Sequence, residues 1–117
     1  MIARGSVVVE RTNFEAHPGE TMLTLFHRDG PRLLLTHYCV AGNQPRLVAS
    51  EFSGDARAIT FTFLDATNLA ARDQGHMDSA VLRFEGPDSF SSSWSWYQAG
   101  ETRWLEEIRY RRVDAAR

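Results

Sequence analysis

Hydrophobic and polar residues alternate with a period of two along most of the chain, and Gly and Pro interrupt the alternation at intervals. Successive side chains on a strand point to opposite faces, so the pattern predicts half-buried β-strands. The expected strands are 5–12, 20–28, 32–40, 46–53, 57–64, 76–85, 89–98 and 103–113. Between them lie His17-Pro18-Gly19, Asp29-Gly30-Pro31, Ala41 to Pro45, Gly54-Asp55, Gly86-Pro87-Asp88 and Ala99-Gly100-Glu101. These are turn residues: Gly supplies positive φ, Pro pre-sets φ, and Asn or Asp bonds its own backbone. Strands at this spacing without a long helical pattern predict an all-β fold. We expect an antiparallel up-and-down meander of about eight strands, curled into a small barrel as one domain over 1–117. Residues 65–75 are too many for a tight hairpin and have room for one helical turn, as a cover or lid at the barrel mouth.

The alternation also assigns faces. In 89–98 the even positions Phe90, Ser92, Trp94 and Trp96 are expected inside. So are Trp104, Glu106, Ile108 and Tyr110 in 103–113, and His76, Asp78, Ala80, Leu82 and Phe84 in 76–85. In 20–28, 32–40 and 57–64 the odd positions are expected inside: Leu23, Leu25 and His27; Leu33, Leu35, His37 and Cys39; Ile59, Phe61 and Phe63. Opposed residues in a hairpin share a face, and three-residue loops at 29–31, 54–56, 86–88 and 99–101 satisfy every assignment. They pair Ala80 with Trp94, Asp78 with Trp96, Trp96 with Trp104, Trp94 with Glu106, and Phe90 with Tyr110.

This register gathers His76, Asp78, Trp94, Trp96, Trp104 and Glu106 on one inner wall. Core layers favour Leu, Ile, Val and Phe, and a buried charge is costly without a partner. The wall is therefore expected to line a ligand cavity, with Trp faces stacking on a flat or apolar molecule and His76, Asp78 and Glu106 holding its polar end. The competing structural reading has the Trp rings closing one barrel end and Glu106 paired with a strand arginine such as Arg11. His37 joins the candidate ligand-binding set, although its apolar neighbours Leu33 and Leu35 also suit a hydrogen-bonded core histidine. Cys39 reads as a small buried hydrophobe; two residues along one strand from His37, it sits roughly 6–7 Å away at Cβ, too far for a nucleophilic dyad. Arg46, after the turn Ala41-Gly42-Asn43-Gln44-Pro45, either caps that turn or holds an anion.

Composition narrows the function classes. At 117 residues and 43% hydrophobic, the chain supplies one core or one lined cavity, hardly both at full size. A net charge of −2 exerts no long-range pull on nucleic acid or anionic membrane, and neither is expected as a partner. All 13 basic residues are Arg, which excludes Schiff-base chemistry for want of a Lys amine. Arg-only usage fits a GC-rich bacterial genome. The single Cys39 permits no intrachain disulfide, and MIARGSVVVE lacks the apolar run of a signal peptide or anchor, so a cytoplasmic location is expected. His37, His76, Asp78 and Glu106 are residue types that suit zinc or non-haem iron, but their spacings match no metal signature. No metal or cofactor is expected.

The segment Leu33-Leu34-Leu35-Thr36-His37-Tyr38-Cys39, followed by Ala41-Gly42-Asn43-Gln44-Pro45-Arg46, resembles a motif in uncharacterised bacterial proteins with a lipocalin-like (calycin-type) barrel. Asp29-Gly30 before it, and Thr67-Asn68-Leu69 with His76-Met77 after it, fit the same pattern, and the resemblance spans about residues 5–113. It implies a barrel of the class that carries small apolar molecules, haem in some relatives. It also implies further strands ahead of the segment from Gly5 to Phe14, which this chain lacks. Either the barrel closes with fewer strands, or an open edge is covered by a second copy in a homodimer.

Three functions are thus expected in order. The first is a protein binding a small apolar or aromatic ligand in a Trp-lined cavity. The second is an acid–base enzyme using inward His76 or His37 with Asp78 or Glu106. The third is a non-catalytic, dimeric interaction module working through an open strand edge.

Overall fold

The computed structural model describes residues 2–13 and 17–113. Phe14, which ends the first segment of the resemblance, lies outside them. The described residues form nine strands: β1 (Val7–Asn13), β2 (Thr21–Asp29), β3 (Arg32–Tyr38), β4 (Gln44–Phe52), β5 (Ala58–Thr67), β6 (His76–Gly86), β7 (Ser89–Gln98), β8 (Glu101–Trp104) and β9 (Ile108–Arg111). They make one antiparallel up-and-down sheet in the order β1 to β8, with β9 also pairing β7. The expected eighth strand, 103–113, is therefore two short strands along the same side of β7, split at Leu105-Glu106-Glu107.

The sheet curls strongly into a half-barrel. No backbone ladder joins β1 to β8 or β9 among the described residues. The seam is spanned instead by side chains: Tyr110 Oη donates to Glu10 Oε2 at 2.7 Å. Burial and that hydrogen bond push the Tyr110 phenol above its ordinary range. Its ring stacks on Phe90 at 4.5 Å, as the expected Phe90–Tyr110 pairing requires.

The concave face carries the core, built on Leu35, Leu47, Phe61, Met77, Ala80, Leu82 and Trp94, with Phe26, Leu33, Ile59, Phe63, Trp96, Leu105 and Ile108 packed against it. Fully burying one large apolar side chain contributes roughly 1.5–3 kcal/mol, so this face dominates the stability of the sheet. The inward faces expected for 32–40, 57–64 and 89–98 are those observed.

Turn lengths overturn other faces. The β2–β3 turn holds two residues, not three, so Asp29 opposes Arg32. Gly30 takes φ 58° at the first central position and Pro31 follows, as a type II′ hairpin requires. The slip of one residue places Met22, Thr24 and Phe26 on the concave face, opposite His37 and Leu35 where they pair, and puts Leu23, Leu25 and His27 on the other side. The β7–β8 turn also holds two residues, Ala99 (φ 51°) and Gly100 (φ 81°), the positive pair of a type I′ turn. Elsewhere bulges offset the change in turn length, at a two-residue β6–β7 turn and a longer β4–β5 loop. Shifts at Ala49/Glu51 and Phe84/Gly86 restore the expected Ala80–Trp94 and Phe84–Phe90 pairs and keep Ala49 opposite Phe61.

Residues 68–75 hold no helical turn. They run as bends and turns, tied to the β7–β8 turn by Ala99 N–H donating to the Asp73 carbonyl at 2.8 Å. No helix among the described residues is long and apolar enough to cross a membrane.

Candidate functional site

The curled sheet does not fill its own concavity. One end holds a cavity of about 590 Å3, walled by Met22, Met77, Trp96 and Leu105, with Cys39, Val40 and Ala41 beside them. His17, Glu20, Arg103 and Glu106 supply its charged and titratable groups. Met22, Met77, Leu105 and Glu106 also wall a small chamber of about 40 Å3 further in, which His37, Trp94, Glu10 and Thr12 complete. A second cavity of about 590 Å3 is lined by Val8, Phe26, Ile59, Phe61, Leu82, Phe84 and Phe90. Antiparallel topology sets it at the opposite end, because it uses the start of β1, β5 and β7 and the ends of β2 and β6.

His37 is 5% exposed. Nδ1 shares a hydrogen bond of 2.9 Å with Thr24 Oγ1, its cross-strand neighbour on β2, and the ring lies 4.9 Å from the Trp94 ring. Nε2 is buried with no hydrogen-bond partner among the described residues. Burial pulls the His37 pKa from 6.5 down to about 4, so the ring is neutral at neutral pH. This strand is apolar because it faces the core, and the histidine sits where the core gives way to the chamber.

His76 is fully buried in different surroundings. It was expected inside with Asp78. A bulge at Asp78 lets Met77 oppose Trp96 and Ser79 oppose Ser95, so His76 turns to the opposite face, across from Tyr97. Gln74 O accepts from Nδ1 at 2.6 Å, Nε2 accepts from Arg72 Nη1 at 2.8 Å, and Asp78 Oδ1 lies 3.1 Å from Nε2. Arg72 also donates to Asp78 at 2.7 Å, and its guanidinium lies 4.0 Å from the Phe63 ring centroid and 4.7 Å from that of Tyr97. Both nitrogens are occupied. The cluster latches the 68–75 segment to the sheet and leaves the His76 ring no exposed surface.

Trp104 is corrected too. The two-residue β7–β8 turn sets it opposite Ser95 rather than Trp96, on the convex face, 53% exposed. Leu105 takes the inward place. Its N–H donates to the Trp94 carbonyl at 2.8 Å, so Leu105 and not Glu106 lies beside Trp94. Glu106 is exposed at the rim, without an ion pair among the described residues, and Arg11 opposes Leu23 on the other face. Of the seven expected residues, the concavity brings together His37, Trp94, Trp96 and, at its edge, Glu106. It excludes His76, Asp78 and Trp104. Met22, Thr24 and Leu105 were missed because their faces depend on the turns. Met77 was missed because its face depends on the bulge.

Two further expectations resolve as structure. Arg46 makes a bidentate pair with Asp65 across β4 and β5, both bonds 2.6 Å. Asn43 Nδ2 donates to the Gly75 carbonyl at 2.9 Å, and Gln44 Oε1 accepts from Thr67 and Asn68. The 41–46 segment thus binds the 65–75 segment rather than an anion. Burial pushes the Cys39 thiol up, which favours its protonated form. Gly75 packs so closely on Trp96 that a Cβ there would overlap the indole ring.

Among the described residues, the buried His37 has no carboxylate partner; His76 and Asp78 meet in the latch, and His17 and Glu20, both exposed at the cavity mouth, lie 3.8 Å apart. No group of three or more His, Cys, Asp or Glu among them could hold a metal ion. No protein-family model matches the chain, and neither a curated protein nor a solved structure matches it.

Proposed function

We propose that this protein binds a small apolar or aromatic molecule in the concavity of a lipocalin-like half-barrel. The observation that carries the reading is the cavity of about 590 Å3 walled by Met22, Met77, Trp96 and Leu105. That volume lies in the range of small-molecule sites, and such sites combine apolar walls with few polar groups. Met side chains adapt to irregular ligands, and an indole face stacks on flat ones. The inner wall is smaller than the six-residue wall expected from alternation, and the binding reading rests on the residues that remain in it.

The test is tryptophan emission in a Trp104→Phe variant, which removes the exposed indole and leaves Trp94 and Trp96 as reporters. Titration with flat apolar compounds should quench or shift the emission with saturation. A flat response across a broad panel would remove the reading. The unpaired edges of β1 and β8 support a second, compatible reading, a homodimer formed by strand pairing. A mass that stays monomeric by light scattering at high concentration would exclude it.

A further inference from the structure

Among the described residues, His37 is the one polar side chain of the chamber that is both nine-tenths buried and short of a partner: Nδ1 is held by Thr24, and Nε2 meets no hydrogen-bonding group among them. A buried polar atom left this way costs roughly 1–3 kcal/mol, so such groups persist where water or a ligand completes them. The chamber of about 40 Å3 has room for a group the size of one or two waters, far too little for a whole ligand. It shares Met22, Met77, Leu105 and Glu106 with the larger cavity. A molecule whose body fills the larger cavity, beside its own rim groups His17, Glu20 and Arg103, therefore has the His37 chamber adjoining it.

Resting on the binding reading above, we infer that His37 is the specificity-determining contact of this cavity, and that the ligand carries an uncharged hydroxyl on a flat apolar body. The imidazole suits a hydroxyl in either sense. When Nδ1–H donates to Thr24, Nε2 accepts; when the Thr24 hydroxyl donates to Nδ1, Nε2–H donates. An anionic tip is disfavoured because Glu10 and Glu106 line the same chamber and no Arg does. A cationic tip would lose its hydration in a chamber whose Glu10 already holds Tyr110.

The experiment compares four probes of one shape on the whole chain: naphthalene, 2-naphthol, 2-naphthoate and 2-naphthylmethylammonium. Binding is read by tryptophan emission, and the His37 ring by 15N NMR. The naphthol should bind about tenfold more tightly than naphthalene, the effect of one net buried hydrogen bond, and the carboxylate more weakly than either. His37→Phe should lose the preference for the naphthol, so that the naphthol and naphthalene bind alike. In the unsubstituted protein the Nε2 resonance should move with the naphthol and stay with naphthalene, which decides the matter even if the variant does not fold. Equal binding of naphthol and naphthalene, a preference that survives His37→Phe, or tightest binding of a charged probe overturns the inference while the cavity reading stands. Failure of all four probes to bind overturns both.

Discussion

His76 and His37 are both buried on strands of one sheet, and they differ in what meets their nitrogens. Around His76 stand an arginine, an aspartate, a backbone carbonyl and two aromatic rings, and every polar atom of the ring is engaged. Around His37 stand a threonine and a tryptophan, and one nitrogen is left over. The richer cluster looks more like a catalytic centre by residue type, yet its groups satisfy one another and close the space between them. The plainer position borders empty volume. Chemical capacity in a buried site follows from what is left unpaired next to space, not from how many ionisable groups are gathered.

The largest test of that contrast is His76→Ala. It removes a fully enclosed ring and strands Arg72, Asp78 and the Gln74 carbonyl together, so denaturant unfolding should show a loss of about 3 kcal/mol or more. A loss below about 1 kcal/mol would mean that the cluster is no latch. Next comes acid. The folded His37 pKa of about 4 lies below the 6.5 of the unfolded ring. Above pH 6.5 both states hold it neutral. As the pH falls from 6.5 towards 4 the unfolded chain takes up a proton that the folded chain refuses, and stability drops by on the order of 3 kcal/mol. Carboxylates add their own acid loss, so the readout is the difference between the unsubstituted protein and His37→Phe over that window. Parallel curves would show that the ring is not held neutral.

Gly75→Ala should cost about 1–3 kcal/mol and alter Trp96 emission, because the added Cβ overlaps the indole. Unchanged emission and unfolding would separate the latch segment from the cavity wall. His37→Phe at pH 7.5 should cost about 1–2 kcal/mol, less than His76→Ala, since it removes one unpartnered nitrogen but leaves the buried Thr24 hydroxyl without its partner. A loss as large as that of His76→Ala would erase the comparison. The smallest effect is expected from Trp104→Ser, within about 0.5 kcal/mol, as the ring stands on the convex face.

The fold was legible in the sequence to the level of strand number and order. Period-two alternation marks strands wherever one face is buried, and Gly-Pro and Ala-Gly punctuation marks the hairpins. The site was legible in part. Trp94 and Trp96 kept their face because the strand that carries them, β7, has no bulge of its own. Trp104, four residues past a turn, and His76, two before a bulge, did not keep theirs. The Gly30-Pro31 dipeptide was a readable sign of a two-residue turn, with Gly at the first central position. The bulge at Asp78 has no comparable sign. It arises where Met77 fits the core and Arg72 and Tyr97 fit His76, contacts that exist only once distant segments have met.

By itself, then, the sequence determined an all-β antiparallel meander, the inward faces of 32–40, 57–64 and 89–98, and a chain with no Lys and one Cys. Tertiary structure alone decided which histidine borders the cavity, which tryptophan leaves it, and that the sheet meets itself through Tyr110 and Glu10 rather than through a backbone ladder. The reason is the period of two. One residue gained or lost at a turn or bulge reverses every side chain beyond it, and the choice is made by the packing of the faces against each other.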